Sequence, residues 1–450
     1  MSDMPENGRA RLPSRRGFLA AAGGLAAAVG SGLAQAADPV TGARQADRRR
    51  EAAGPPAGVE PFWGVHQGGI ATPQQKHTYF AAFDLRTDKR DDVVAMLRGW
   101  TAAAARMAAG KTAAPLAPDP MVAAADSGDG LGLAPARLTL TFGFGAGLFA
   151  KDGHDRYGLA ARRPEALVDM PHFNGDQLVE ASTGGDLSIQ ACADDPQVAF
   201  HAIRQLARLA YDAAEIRWVQ VGLTPNSKAG DTPRNLMGFK DGTENPRPAP
   251  HAGTMRGAAP SSGRGFDPIV WVGDEGPAWM RGGSYLVVRR IRIALEHWDR
   301  TEVDFQEQVV GRHKYSGAPL GGKHEFEPPN LDATDKDGSL VIPEDAHVRL
   351  ARAASNDGAQ ILRRAYSYND GVNLTAERWP PWRQGMAYDA GLFFVAYQRD
   401  PRTGFIKIFE NMAKLDALNQ FTTHVGSGLF ACPGGVAKGE FIGQRLFATG

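Results

Sequence analysis

Asp241 lies in a segment, NLMGFKDGTENP, that combines a carboxylate with residues typical of turns. Gly238 and Gly242 flank Phe-Lys-Asp, and a Thr-Glu-Asn-Pro run follows. Glycine, Asp, Asn and Pro are frequent in turns because they permit or fix particular backbone dihedral angles. Asp241 is therefore either only a turn former or a carboxylate that the turn holds in position for a functional role. The segment alone leaves both interpretations open.

Other residues that could do chemistry show no diagnostic spacing. The eleven histidines include no HExxH pair and no zinc-finger spacing, and the cysteines, Cys192 and Cys432, form no CxxC motif. There is no nucleophile elbow or P-loop, and GFGAGLF lacks the GxGxxG spacing of a dinucleotide site. A lone histidine such as His347 is more often a packed or surface residue than a ligand. Whether the two cysteines form a disulfide stays open.

The composition is that of a soluble globular protein. The chain has 450 residues, of which 43% are hydrophobic and 22% are charged, enough for a sizeable core in two or three domains. Lys plus Arg and Asp plus Glu both number 50. This balance gives no electrostatic case for binding nucleic acid or an anionic membrane.

The first 36 residues have the features of an export signal. Arg15 and Arg16 precede a short, glycine-rich apolar run that ends in Ala-Gln-Ala. This pattern predicts a twin-arginine signal peptide at 1–36 and a mature protein in the periplasm or outside the cell. The alternative is a chance Arg-Arg before a membrane anchor, but the run is short for a span. Residues 37–60 are polar and rich in Pro and Gly, which predicts a disordered lead-in.

Residues 61–225 show a β-α-β-β-α-β order, which predicts a ferredoxin-like half. The apolar periodicity favours two helices, and Asp195-Pro196 is a helix-start signal for the second. Strands are predicted at His77–Leu85, from Leu138, at Asp186–Ala193 and at Ile216–Leu223, and helices at Asp91–Met107 and Asp195–Ala214.

The same order recurs in residues 284–445, which predicts an internal duplication. SYLVVRRIRIAL, beginning at Ser284, alternates apolar and polar residues as a half-buried strand does. GLFFVAYQRD (391–400) is similar to HTYFAAFDLR (77–86), and GSGLF (426–430) echoes GAGLF (145–149). Chance similarity between strands rich in Gly and Phe is the alternative explanation.

The predicted fold class is α+β, with tandem ferredoxin-like halves built from antiparallel sheets and flanking helices. A loop-rich connector, 226–283, joins the halves and carries Asp241. Loops of this length are usually functional or disordered.

Several segments, in chain order, resemble motifs of dye-decolourising peroxidases. GFKDGTENP is similar to the GxxDG motif of that haem family, which has two ferredoxin-like halves and haem in the C-terminal one. The similarity covers roughly residues 60 to 440 and is strongest to the exported EfeB-like subfamily. The other matching segments are GGSYLVVRRIRI from Gly282, GRHKYSGAPLGG from Gly311, DAHVRLARA from Asp345, ILRRAYSYNDG from Ile361, GLFFVAYQRDP from Gly391 and LDALNQFTTHVGSGLFACPGG from Leu415.

The resemblance implies haem b, iron protoporphyrin IX, as the cofactor and His347 as the ligand of its iron. A neutral imidazole is a usual fifth ligand of haem iron. Asp416 matches a family acid that hydrogen-bonds the other nitrogen of this histidine, which fixes the tautomer and raises its basicity. A helix N-cap role for Asp416 is the equal alternative.

On the other haem face, the resemblance implies that Asp241 and Arg363 are catalytic. A carboxylate can carry the proton that peroxide must lose and regain, and a guanidinium can stabilise the charge that develops as the O–O bond breaks. The motif alignment favours Arg363 over the adjacent Arg364, which is expected to be a surface residue.

The resemblance also implies further cofactor-binding residues around the haem. Two apolar residues of one strand would cover it, three residues after Asp241 would pass close to it, and one arginine would reach its edge. Propionate contacts stay open, because the loop RAASNDGAQ departs from the relatives. These residues are Leu392, Phe394, Gly242, Thr243, Glu244 and Arg352.

The implied function is a haem b peroxidase that uses hydrogen peroxide to oxidise dyes, phenolics or similar one-electron donors through a ferryl intermediate. The alternative is a deferrochelatase that releases iron from haem and works with iron-uptake proteins. Because a small haem pocket excludes bulky donors, electrons would pass through surface aromatics such as Trp379, Trp382 and Tyr388. Nucleic acid and an integral membrane segment in the mature chain are not expected, and a homodimer is an additional expectation.

Overall fold

The computed structural model describes residues 58–116, 119–225, 231–247, 265–376 and 384–448. The predicted signal peptide and nearly all of the predicted lead-in lie outside these residues. Within them, no helix is both long and apolar enough to cross a membrane.

The described residues form a mixed structure of helices and antiparallel strands, as predicted. Pairing runs antiparallel throughout the main sheet. The strands are β1 His77–Leu85, β2 Thr139–Phe144, β3 Leu187–Ala193, β4 Ala214–Leu223, β5 Ser284–Ile293, β6 Leu362–Arg363, β7 Tyr366–Ala376, β8 Gln384–Gln398 and β9 Thr422–Cys432. The helices are α1 Arg90–Ala108, α2 Ala146–Phe149, α3 Pro196–Leu209, α4 Leu295–Trp298, α5 Val303–Val310, α6 His347–Ala351, α7 Lys407–Leu415 and α8 Gln444–Phe447.

The strands occur in two groups with the same spatial order. The first four lie in the order β2-β3-β1-β4, and the later ones in the order β7-β8-β5-β9. β6 lies just before β7 in the chain and pairs with the same strand, β8. β6 and β7 together therefore form the second strand of the later group. In both groups the order is second, third, first, fourth.

The two groups are joined at their edges into one closed sheet. β2 pairs with β9 at Phe144 and Ala431, and β4 pairs with β7 at Leu223 and Ser367. The prediction of two separate halves did not include these contacts. Edge strands expose unpaired N–H and C=O groups, and mutual pairing satisfies some of them.

The closed sheet is buried on both faces, because alternate residues of a strand point to opposite sides. On β1, Phe80 packs inward against Trp218 and Phe393, within one apolar cluster. Phe83 points outward and packs against Trp100 of α1. The outer face of the later strands carries α7, and this is where the candidate site lies.

The two sequence similarities that suggested a duplication do not connect equivalent elements. GAGLF (145–149) forms α2 after β2, whereas GSGLF (426–430) lies inside β9. HTYFAAFDL forms β1, the first strand of its group, whereas GLFFVAYQ belongs to β8, the third strand of the later group. HTYFAAFDL and GLFFVAYQ are similar because strands buried on two faces use the same small and aromatic residues, whereas GAGLF and GSGLF adopt different secondary structures.

Both cysteines are buried free thiols. The Sγ of Cys192 lies 3.5 Å from the hydroxyl of Tyr366. The question that the sequence left open is therefore answered, and the two residues are not joined by a disulfide.

Candidate functional site

Asp241 and Arg363 form an ion pair between the connector loop and β6. The Nη1 of Arg363 lies 2.7 Å from the Oδ1 of Asp241. The side chain of Arg363 is 29% exposed and that of Asp241 is 22% exposed. A charge-assisted contact of this length is strong, and partial exposure leaves the pair accessible to a small molecule.

His347 and Asp416 form a second pair. The Nδ1 of His347 lies 2.7 Å from the Oδ2 of Asp416, whose side chain is 3% exposed. The Oδ1 of Asp416 accepts the N–H of Leu418 at 2.8 Å, at the start of the short 3-10 turn Ala417–Gln420. The two alternatives that the sequence suggested for Asp416 therefore occur together, one at each oxygen.

The two pairs occupy one electrostatic site. Burial lowers the pKa of His347, but the adjacent Asp416 carboxylate outweighs burial and raises it above the usual value. The charges of Arg363 and Asp241 also act on this pKa, in opposite directions. The ion pair therefore lies within electrostatic range of the imidazole.

The loop around Asp241 is a turn that does not use the Asp241 carboxylate. Asn235 accepts two backbone N–H groups of the turn through its side-chain oxygen. Gly238 and Gly242 have φ angles of +85° and +121°, which favour glycine. The N–H of Asp241 donates to the carbonyl of Pro233 at 2.8 Å. Other residues thus build the turn, and the carboxylate of Asp241 is left to contact Arg363.

Glu325 contacts residues that precede and follow Asp241 in the chain. Its carboxylate contacts the ammonium of Lys240 and accepts the hydroxyl of Thr243 at 3.1 Å. Burial raises the pKa of Glu325, but the Lys240, Thr232 and Thr243 contacts outweigh burial, so the pKa lies below its usual value. Sequence reasoning missed Glu325, because it belongs to a loop without a recognisable motif.

Glu244 connects the same loop to two arginines. The Oε1 of Glu244 lies 3.1 Å from the Nη2 of Arg312 and 3.6 Å from the Nη1 of Arg352, which directly follows α6. The Nη1 of Arg352 is buried and has no hydrogen-bond partner among the described residues. Arg312, which the sequence did not single out, therefore shares the Glu244 carboxylate with the predicted Arg352.

Leu392 and Phe394 lie on the same face of the sheet as Arg363. Arg363 pairs with Ala396 across β6 and β8, and alternate residues of β8 share a face. Both Leu392 and Phe394 are half-buried, and the ring of Phe394 lies 5.5 Å from that of Phe405. The predicted apolar pair thus borders the predicted catalytic arginine.

Arg364 is not the surface residue that was expected. Its side chain is 4% exposed and donates to the carbonyl of Thr72 and to the side-chain oxygen of Gln75. As the next residue after Arg363, it points to the opposite face, into the closed sheet. No sequence pattern indicates that this interior contains polar partners for a guanidinium.

The predicted surface aromatics are only partly described. Trp379 and Trp382 lie outside the described residues. Tyr388 is on β8 and is 51% exposed.

The donor set fits a haem group. The Nδ1 of His347 is engaged by Asp416, so the other ring nitrogen, Nε2, remains for a metal. The imidazole is 35% exposed, so the ring is accessible from one side. A buried guanidinium nitrogen of Arg352 without a hydrogen bond suits a carboxylate, and Leu392 and Phe394 offer an apolar wall.

Comparison with known proteins identifies two matching family domains. The domain described as Dyp-type peroxidase, N-terminal, matches residues 67–224, and Dyp-type peroxidase, C-terminal, matches residues 232–437. The two matches together cover most of the chain.

Curated relatives are similar over their full length. A dye-decolorizing peroxidase of Thermobifida fusca is 39% identical over 458 residues, covering 96% of this chain and 97% of the relative. A deferrochelatase of Escherichia coli K12 is 36% identical over 453 residues, covering 98% of each. Ferric DtpA from Streptomyces lividans has a TM-score of 0.74 at 41% identity, covering 87% of this chain and 98% of its own.

We expect Gly242→Ala to lower the stability of the protein. The φ of +121° strains any residue with a side chain, at a cost of about 1–3 kcal/mol. The nearest atom to an added Cβ is 3.8 Å away, so backbone strain, and not a clash, is the cause. The midpoint of urea unfolding measures the effect.

Gly99→Ala is the matched control for this substitution. Gly99 lies within α1, where an added Cβ meets nothing within 4 Å, and alanine there should stabilise by about 0.5–1 kcal/mol. An unchanged unfolding midpoint for Gly242→Ala would contradict the strained conformation of the loop.

Proposed function

The chain belongs to the Dyp-type peroxidase family, and from this premise we propose how its site works as a haem b peroxidase. The observation that carries the proposal is the presence of two pairs, His347 with Asp416 and Asp241 with Arg363, within electrostatic range of each other. The first pair suits a metal ligand, and the second suits proton transfer beside a fixed positive charge.

His347 would bind the haem iron through Nε2, and Asp416 would hold the imidazole in place. The hydrogen bond from Nδ1 fixes the tautomer and increases the basicity of the ligand nitrogen. Leu392 and Phe394 would form the apolar wall, and Arg352 would face a propionate. When bound, haem would supply the iron centre that reduces peroxide and then oxidises the donor.

Asp241 would move the proton of hydrogen peroxide. The Oδ1 of Asp241 is held by Arg363, while Oδ2 has no partner among the described residues. Oδ2 is therefore the atom that accepts a proton from one peroxide oxygen and returns it to the other, which leaves as water. The guanidinium of Arg363 would hold Oδ1 of Asp241 in place and stabilise negative charge on the departing oxygen.

The proposed donors are dyes, phenolics or similar compounds that lose one electron at a time. Leu392 and Phe394 narrow the space beside Arg363, so bulky donors would react at the protein surface. Of the three aromatics predicted from the sequence, Tyr388 is the one among the described residues, and it is exposed on β8, which pairs with β7. Its ring would pass electrons inward.

We expect His347→Ala to lose bound haem and the associated Soret absorption, because the iron ligand is removed. Asp241→Ala and Arg363→Ala should retain haem, but they should react with one equivalent of peroxide roughly 10²- to 10³-fold more slowly, the typical cost of losing one acid–base or charge-stabilising group. Stopped-flow absorption of haem-loaded protein measures the rate.

Wild-type rates in both Asp241→Ala and Arg363→Ala would contradict the roles of the pair. Full haem occupancy in His347→Ala would contradict the assignment of the ligand. A wild-type protein without a Soret band after haem-replete expression would contradict the proposed function as a whole.

Deferrochelatase is a second candidate function, favoured by the full-length similarity to proteins of that name. In this function the same site would hold haem while iron is removed. Iron-uptake proteins would then be partners. The His347–Asp416 pair serves both candidates, whereas a proton carrier at Asp241 is required for peroxide reduction.

Turnover distinguishes the two candidates. The peroxidase predicts many cycles of dye oxidation per protein, dependent on peroxide and on Asp241. A deferrochelatase predicts release of iron with intact porphyrin, without consumption of peroxide, and at equal rate in Asp241→Ala. Absorption and mass spectra of the porphyrin product, with and without peroxide, separate these results.

We further propose two ferredoxin-like halves, 61–225 and 284–445, joined by the connector 226–283. The shared strand order of the two groups supports this division. A homodimer stays a prediction.

The proposed location is the periplasm or the outside of the cell, reached by the twin-arginine route. We expect replacement of Arg15 and Arg16 by lysines to retain the protein in the cytoplasm, because this route reads the arginine pair. Cell fractionation with immunoblotting measures the distribution. Export of the lysine variant at the normal level would contradict the prediction.

A further inference from the structure

Asn245 makes two hydrogen bonds to the main chain of Arg363. Its Nδ2 donates to the carbonyl of Arg363 at 2.8 Å, and its Oδ1 accepts the N–H of Arg363 at 2.9 Å. In an antiparallel ladder, the backbone groups of alternate residues point away from the partner strand. The outer edge of β6 is therefore completed by a side-chain amide at the residue that carries the catalytic guanidinium.

Asn245 belongs to the same turn as Asp241. Its own N–H donates to the carbonyl of Gly242 at 3.0 Å. The Asp241 loop and β6 are thus joined twice, once by the Asp241–Arg363 ion pair and once by the amide of Asn245. The second link fixes the backbone from which the Arg363 side chain extends.

We propose that Asn245 is a positioning residue for the peroxide reaction. It acts by holding the backbone of Arg363 so that the guanidinium meets the carboxylate of Asp241, and it does not itself contact peroxide. The inference rests on the proposed function. A flexible arginine side chain benefits from a fixed anchor, because small misplacements of a reacting group reduce rates strongly.

Asn235 provides a matched control within the same loop. Its Oδ1 accepts the N–H groups of Met237 and Phe239 at 3.1 and 3.3 Å, and it makes no contact with Arg363 among the described residues. Asn235→Ala therefore loosens the loop without releasing Arg363. Comparison of Asn245→Ala with Asn235→Ala therefore distinguishes loss of the Arg363 anchor from a general loss of loop rigidity.

The first test is hydrogen exchange of the Arg363 amide in the haem-loaded protein. Asn245→Ala should expose this N–H, with exchange accelerated by roughly tenfold for the loss of about one hydrogen bond. Asn235→Ala should leave the exchange of this amide unchanged. Equal exchange in wild type and Asn245→Ala would overturn the proposal without bearing on the peroxidase activity.

The second test is a double-mutant cycle on the rate of reaction with peroxide. Asn245→Ala should slow this reaction by roughly tenfold and should cause no further slowing in an Arg363→Ala background. Asn235→Ala should have the same effect in both backgrounds. A wild-type rate for Asn245→Ala, or equal slowing with and without Arg363, would overturn the positioning role.

Asn245→Asp keeps the inference testable if the alanine variant does not fold. An aspartate at 245 still accepts the N–H of Arg363 but cannot donate to its carbonyl. We expect Asn245→Asp to slow the reaction with peroxide in the wild-type background and to cause no further slowing with Arg363→Ala.

If Arg363→Ala alone reacts at the wild-type rate, the role of Arg363 in the proposed function fails, and the positioning role fails with it. Normal Arg363→Ala slowing with additive Asn245 effects overturns the positioning role alone.

Discussion

The contact between Asp241 and Arg363 sets the constraint on which the site depends. One residue comes from a loop in the connector and the other from a two-residue strand, 122 positions later in the chain. A carboxylate and a guanidinium can divide proton transfer and charge stabilisation only if both are held at contact distance. The surrounding polar network meets this requirement: Glu325 holds the residues on either side of Asp241, and Asn245 holds the main chain of Arg363.

The closed sheet determines where this contact forms. Edge pairing between the two strand groups turns one face of every strand inward, where aromatic residues such as Phe80 and Phe393 pack. The outer face of β6 and β8 then remains for Arg363, Leu392 and Phe394. The direction of alternate side chains thus separates the adjacent Arg363 and Arg364, one at the site and one in the interior.

Periodicity and motif could predict much of this arrangement. The strand at His77–Leu85 was placed with its observed bounds, and the helix-start signal at Asp195 is a real cap, since its side chain accepts the N–H groups of Gln197 and Val198. The edge contacts of the sheet could not be predicted, because backbone pairing leaves no mark in the side-chain pattern of the edge strands. The contacts of Glu325 and Asn245 could not be predicted for a related reason, because they join segments that are distant in sequence.

The three carboxylates Asp416, Asp241 and Glu244 differ in the partners that engage their oxygens, and this difference bears on the chemistry of the site. Asp416 is engaged at both oxygens, by an imidazole and by a backbone N–H. Asp241 is engaged by Arg363 at Oδ1, and its Oδ2 has no partner among the described residues. Glu244 contacts two guanidinium groups, Arg312 and Arg352, and the charge of Glu325 also acts on Arg312. The same fold therefore provides a carboxylate engaged at both oxygens, a carboxylate engaged at one oxygen among the described residues, and two arginines that share a carboxylate. These arrangements suit the proposed tasks of orienting a ligand, moving a proton and binding an anionic group.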